Sequence, residues 1–216
     1  MDIVDCIVVA AGQAGLAMSA CLRMRGIDHV VLERGGIAHQ WDTERWDSCT
    51  LLSPNGQTRP PGHHNRGSEP DGFMTGSEVA AFLRRYGADA PVRTGVDVLA
   101  AFPMTMGGGC GPRWVRCGAA CWWWGPATLI GHRWLPAPAL HQTGQSDHVR
   151  GIGAMHGLYF LGMKWMHRRS SHTIDGVGSD AEYVGEQMPQ GCIRWSWLPP
   201  RDVNRLGILH SLLGLL

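Results

Sequence analysis

The sequence is nearly without lysine. Of its 19 basic residues only Lys164 is a lysine, and against 18 acidic residues the formal net charge is +1. So balanced a chain offers no electrostatic case for nucleic acid or an anionic membrane surface as a partner. Long apolar runs are missing too. The tail "LGILHSLLGLL" (206–216) falls short of the roughly 20 apolar residues that span a bilayer. Asp2 and Asp5 flank too short an apolar run for a signal peptide. The 7 cysteines (6, 21, 49, 110, 117, 121 and 192) are odd in number and irregular in spacing. That argues against a disulfide framework, and a cytoplasmic chain with reduced thiols is expected. Cys110, Cys117, Cys121 and His132 lack the paired, closely spaced cysteines of zinc sites, so no metal is expected. Neither a Ser–His–Asp triad nor a nucleophile elbow is visible.

What is present begins with "CIVVAAGQAGLAMSACLRMRGIDHVVLERG" (6–35). The apolar, β-branched run at 3–9 suits a strand buried on both faces of a parallel sheet. A helix is predicted from about Ala14 to Arg25, with Leu16, Ala20 and Leu22 toward the sheet and Gly26 ending it. "HVVLE" returns as a second strand, so strand, helix and strand form a βαβ unit. Its first turn matches two of the three glycines of a dinucleotide fingerprint, Gly12 and Gly15, and Ala10 stands at the first. An anion at such a turn meets backbone N–H groups where the helix dipole favours negative charge. If position 10 needs glycine's dihedrals, the extra methyl costs on the order of 1–3 kcal/mol. Glu33 closes the second strand, 21 residues after Gly12, where a carboxylate accepts hydrogen bonds from ribose hydroxyls.

Further on, residues 36–72 carry no long period and many Pro and Gly, as an ordered loop or lid would. Thr75 with Glu78 makes a capping box for a helix that ends near Gly87. "PVRTGVDVLAAF" (91–102) is expected to form a strand pair or a bent strand. Residues 103–150 have neither helical nor strand periodicity, and 5 of the 10 tryptophans lie between Trp114 and Trp134. "LYFLG" (158–162) is then a buried strand and "GSDAEYVGEQM" (178–188) opens a helix. "GHH" (62–64) and "HRRSSH" (167–172) are expected to be solvated loop and surface. No pattern is evident after Pro189.

The opening unit, together with "WDTERWDSCTLLSPN" (41–55), "PDGFMTGSEVAAFLRRY" (70–86) and "GLYFLGMKWMHRRSSHTIDGVGSDAEYVGEQM" (157–188), resembles the FAD-binding half of flavin-containing monooxygenases. The pieces occur in family order over roughly residues 3–102 and 151–188. The resemblance implies an α/β, Rossmann-like FAD-binding fold on a parallel sheet, incomplete and with an irregular central segment. Four parts follow: 1–102, the first part of the FAD-binding domain; 103–150, irregular; 151–188, its second part; and 189–216, an irregular tail.

The resemblance also implies roles. Ala10, Ala11, Gly12, Gln13, Ala14 and Gly15 would cradle the FAD pyrophosphate. Glu33, with Arg34 beside it, would hold the adenosine ribose. Trp41 and Arg45 would lie beside the adenine dinucleotide, and Leu52, Pro54 and Asn55 would approach the flavin. Asp175, Gly176 and Gly178 would close over it at another helix N-terminus. In the family NADPH reduces the flavin, O₂ reacts with it, and one oxygen atom passes to a small organic substrate. No catalytic side chain is identified.

One departure is plain. The family's second nucleotide-binding unit, which takes NADPH, has no counterpart, since "MGGGCG" (106–111) follows no strand and opens no helix. Read one base back, the codons of Cys121–Trp124 give Leu-Val-Val-Gly, similar to the family's "VVATG" strand. Two readings stay open: translation out of frame over about 103–150 with a large deletion, or a Trp-rich loop. A gene sequence whose codons cannot yield the shifted reading rules out the first. A non-catalytic FAD- or ADP-binding remnant is the alternative to an enzyme.

Overall fold

The computed structural model describes residues 2–63, 69–98, 139–155, 157–188 and 195–197, with backbone alone at 2, 3 and 195–197. The organising unit is the one the opening stretch predicts. Strand β2 (Cys6–Val9) runs parallel to β3 (His29–Leu32), with Cys6 opposite His29 and Val9 opposite Leu32. Helix α1 (Gln13–Met24) makes the crossover. Strand β4 (Val92–Arg93) adds parallel to the far side of β3, giving the order β2-β3-β4. All four residues of β3 are buried, as a central parallel strand requires.

The apolar run at 3–9 is two strands rather than one. β1 (Asp2–Val4) pairs antiparallel with the last described strand, β7 (Trp195–Trp197), within a stretch where the sequence shows no pattern. The break falls at Asp5, because the Asp28 carbonyl accepts the N–H groups of both Asp5 (2.9 Å) and Cys6 (3.1 Å). The ladder to β3 therefore starts only at Cys6.

α1 ends where glycine predicts it. Gly26 has φ +68°, its N–H donates to the Arg23 carbonyl at 3.0 Å, and the Ile27 N–H reaches back to Leu22 at 2.9 Å. Those two bonds satisfy carbonyls that a helix end otherwise leaves open, and buried Ile27 and Leu22 close the turn apolarly. Leu16 and Leu22 are buried as expected and Ala20 is half-buried. Burial of each such leucine contributes about 1.5–3 kcal/mol.

α1 is packed on its other sides by α3 (Gly76–Tyr86) and α4 (Val177–Glu186). Val79, Leu83, Val177, Ala181 and Val184 join Leu16, Met18 and Leu22 in one core cluster. α3 starts on the predicted capping box: the Glu78 N–H donates to Thr75 Oγ1, and the Thr75 N–H donates to the Glu78 carboxylate. The loop expected at 36–72 contains a short helix, α2 (His39–Thr43), and a 3-10 turn at Asn55–Gln57. An Arg84–Asp42 ion pair ties α2 to α3.

The next described residues begin at Ala139, and a hairpin of β5 (His148–Val149) and β6 (Ile152–Gly153) precedes the "LYFLG" segment. Leu158 to Leu161 are buried as predicted, but they form only an isolated bridge, Tyr159 with Ile152, in place of a regular strand. The two-residue β6 beside it is too short to carry a longer ladder. Of the 91–102 segment, β4 and a bond from the Val96 N–H to the Glu33 carbonyl (3.0 Å) are described, and 99–102 lie outside the described residues. The Trp114–Trp134 cluster, Cys110, Cys117, Cys121, His132 and the frame question also lie outside them.

Candidate functional site

The first turn after β2 settles what Ala10 does. Its φ is +80°, in the left-handed region that favours glycine, so the methyl sits where the fingerprint's first glycine would. The Ala10 N–H donates to the Leu32 carbonyl at 2.8 Å, and Ala38 donates to the Ala11 carbonyl at 3.1 Å. Gly15 is required by approach: a Cβ there would lie 1.9 Å from the Ala10 carbonyl oxygen. Gly12 is the N-cap of α1, and no side chain caps the helix. Its first turn holds no acidic residue, so the positive end of the helix is left to whatever lies before it.

Glu33 braces this turn. One carboxylate oxygen accepts from the Ala11 N–H at 2.7 Å and the other from the Gly35 N–H at 2.8 Å. An ionised carboxylate has about four acceptor positions, so two remain for hydroxyl donors. Glu33 is half-buried and Arg34 exposed.

A cavity of about 580 Å³ opens at the mouth of α1, within the size range of small-molecule sites. Gln13 lines it together with three groups taken here as walls: Trp41, Arg45 and Trp46; residues 49–53; and, from the 164–175 segment, Lys164, residues 168–170 and residues 172–175. Gln13 is buried, and its carboxamide reaches both sides. Oε1 accepts from the Trp41 indole N–H at 2.9 Å, and Nε2 donates to the His172 carbonyl at 3.1 Å. The Arg45 guanidinium stacks over the Trp41 ring at 4.4 Å, and its buried Nε has no hydrogen-bond partner. The 49–53 wall is fastened to the start of α3: Leu51 donates to the Met74 carbonyl at 2.8 Å, and Gly76 donates to that of Cys49 at 2.9 Å. Ser53 Oγ donates to Asp175 across the cavity at 3.3 Å.

The third wall ends at α4. Gly176 is its N-cap, again without a side-chain cap, and a Cβ there would lie 2.1 Å from the Ser170 carbonyl oxygen. Arg168 bonds to Ser179 and lies 3.9 Å from the buried Asp180 carboxylate. Around the cavity stand four cations, Arg45, Lys164, Arg168 and Arg169, against the Asp175 carboxylate. Burial, then the nearby Lys164 ammonium, holds the His172 imidazole below its ordinary value, so it is neutral at pH 7.

Of the residues the resemblance points to, Gln13, Trp41, Arg45, Leu52 and Asp175 line the cavity. Ala10, Ala11, Gly12, Ala14 and Gly15 form the turn and first helical residues beside it, and Gly176 the cap behind Asp175. Asn55 is elsewhere. Its side chain accepts from the Met74 N–H at 2.8 Å and donates to the Glu69 carbonyl at 3.0 Å, so it fastens a loop. The "HRRSSH" segment is no mere solvated surface, since Arg168, Arg169, Ser170 and His172 all line the cavity. Its basic and hydroxyl residues were the available signal; periodicity could not show that the segment folds back onto α1. Among the described residues no group of three His, Cys, Asp or Glu side chains converges as a metal site. No helix among them is long and apolar enough to cross a membrane.

Comparison with solved structures decides the architecture. A double mutant of a flavin monooxygenase from Stenotrophomonas maltophilia superposes with a TM-score of 0.65, covering 88% of this chain and 99% of that one at 15% identity. The fold is that of a flavin monooxygenase. In this fold α1 is the crossover helix of the βαβ unit, and sequence relatives match over a shorter stretch. Over 52 residues the chain is 50% identical to the oxidoreductase CzcO of Bacillus velezensis, a match covering 24% of this chain and 15% of that protein. It is 42% identical over 62 residues to a CzcO-like oxidoreductase of Geobacillus kaustophilus, 28% of this chain and 18% of that one. It is 41% identical over 56 residues to the probable indole-3-pyruvate monooxygenase YUCCA1 of Arabidopsis thaliana, 26% of this chain and 14% of that one. The matched stretch thus spans less than a fifth of each of these relatives, and no family model matches the chain.

Proposed function

We propose that the chain is the FAD-binding part of an oxidoreductase of the flavin-monooxygenase type. The observation that carries this reading is the cavity at the uncapped N-terminus of α1, where cations outnumber carboxylates. A dinucleotide's pyrophosphate suits it: backbone N–H groups follow Gly12, and Gly15 lets helix and strand approach. Arg45 offers its unpartnered Nε from the Trp41 wall. Glu33 keeps acceptor positions for ribose hydroxyls while it holds the turn. Leu52, Pro54 and Asp175 take the flavin end, with Ser53 fixing the Asp175 carboxylate and the α4 N-terminus behind it. Trp41, Trp46 and Leu51 exclude water along the walls.

When bound, the flavin supplies the redox chemistry, accepting electrons from NADPH and reacting with O₂ to oxygenate a small organic substrate. A cytoplasmic setting is supported by the reduced thiols of Cys21 and Cys49. A second reading is a non-catalytic FAD- or ADP-binding module, since "MGGGCG" (106–111) is no second fingerprint for NADPH. Absorbance of the purified protein separates the two. A yellow protein that bleaches with NADPH supports the enzyme, and one that bleaches only with dithionite supports the module. A protein that stays colourless with excess FAD overturns both.

A further inference from the structure

We infer that Gln13 is the positioning residue of the cavity: one buried carboxamide fixes the Trp41 wall and the 164–175 wall at the mouth of α1. The inference rests on the FAD reading only for what the cavity holds, not for the clamp itself. Gln13 is 5% exposed, and its two amide ends point to segments far apart in sequence. Trp41 lies 28 residues away and His172 159 residues away. Both partners line the cavity.

The geometry gives the amide a task that neither a carboxylate nor an apolar residue performs. It must accept from an indole N–H on one side and donate to a backbone carbonyl on the other. Trp41 carries Arg45 stacked on its ring, so fixing the indole also places the cation with the open Nε. His172 opens the run that leads through Thr173 to Asp175 and the α4 cap, so fixing its carbonyl places the opposite wall. The backbone of residue 13 would meet the pyrophosphate, while its side chain sets how far apart the flanking walls stand. Loss of the side chain leaves an indole donor and a backbone acceptor without their partner, which is costly where water is scarce.

The test uses the full-length chain, with ¹⁵N-labelled tryptophan indole signals and FAD titration measured side by side. Trp41→Phe assigns the Trp41 signal. In Gln13→Ala that signal is expected to shift and to exchange faster with solvent, and FAD affinity to fall about 10-fold or more. Trp41→Phe combined with Gln13→Ala is expected to cost less than the sum of the two, as for partners in one contact. Gln13→Glu supplies a variant of nearly native shape. Its charged form repels an anion and cannot donate, whereas its protonated form restores both bonds. Relative to wild type, which controls for Arg45, Lys164, His172 and Asp175, its FAD affinity is expected to rise as pH falls from 8 to 5.

An unmoved Trp41 signal in Gln13→Ala overturns the clamp. A moved signal with FAD affinity within twofold of wild type overturns its positioning role. A wild-type chain that takes up no FAD refutes the flavin reading, and the indole signal alone then decides whether Gln13 holds the walls.

Discussion

Three helices of this molecule start in two different ways. α3 is sealed: Thr75 and Glu78 answer each other across a capping box, and neither residue lines the cavity, although the start of α3 fastens its 49–53 wall. α1 and α4 start on glycines, Gly12 and Gly176, with no side-chain cap, and residues next to both caps line the cavity. Each open start is also built on a glycine that tolerates no Cβ, 1.9 Å from a carbonyl oxygen at Gly15 and 2.1 Å at Gly176. Glycine at an N-cap costs only roughly a few tenths of a kcal/mol against Ser, Thr, Asp or Asn, and it leaves the N–H groups of the first turn without a side-chain acceptor. On the proposed reading a ligand's negative charge takes the acceptor's place at α1, whereas the first turn of α4 already holds the buried Asp180.

The comparison can be broken most forcefully at Gly15. The atom opposing a new methyl is backbone and cannot move aside, so Gly15→Ala is expected to destabilise the fold by about 3 kcal/mol. Gly36, with nothing within 4 Å of its Cβ position, gives the control, and Gly36→Ala should leave the denaturant midpoint almost unchanged.

Sealing α1 gives the next largest effect. Gly12→Asp places a carboxylate at a cap with φ −84° and ψ −172°, an extended geometry that aspartate adopts. FAD affinity should fall at least about 10-fold while the apo chain gains up to about 1 kcal/mol. Opposite signs in titration and melting are the signature; a fall in both would point to simple damage.

Opening the sealed helix is the converse experiment. Thr75→Ala is expected to cost about 1 kcal/mol of stability and to leave FAD uptake as it was. Ala10→Gly acts beside the open start. It relieves a methyl held at φ +80°, so a gain of up to about 1 kcal/mol is expected on melting, with FAD affinity equal or better.

The mildest test concerns the buried body rather than the cavity. His29 is buried with Nε2 2.7 Å from Ser19 Oγ and Nδ1 3.0 Å from the Ile27 carbonyl, and burial holds its imidazole below its ordinary value. The unfolded chain therefore takes up this proton at a higher pH than the folded one. Stability from the neutral imidazole is present above about pH 6.5 and is lost as pH falls toward the folded-state value. Melting temperature should drop between pH 7.5 and pH 5.5. His29→Gln should flatten that drop in part, since His148 and His172 are shifted the same way.

Much of this was legible in the residues. The βαβ unit, the Gly26 stop and the Thr75–Glu78 box all follow from local rules, and each involves neighbours within a few residues. The place of Glu33 at the end of β3 was legible, although it was not evident that its carboxylate carries the Ala11 and Gly35 N–H groups. That the Asn55 amide ties a loop, through the Glu69 carbonyl and the Met74 N–H, was not legible, because those partners lie 14 and 19 residues away. The basic run at 167–172 was visible but not its position, since its place on the cavity depends on contacts made 159 residues away.

The sequence by itself determined the first βαβ unit, the stop at Gly26, the Thr75–Glu78 start of α3, and which residue stands in for the missing glycine. Those are properties of backbone dihedrals and of hydrogen bonds that close over a few residues. Only the tertiary structure decided that two uncapped helix starts, a stacked Trp–Arg pair and a basic loop surround one space. Such convergence is fixed by packing between distant segments, and no local preference encodes it.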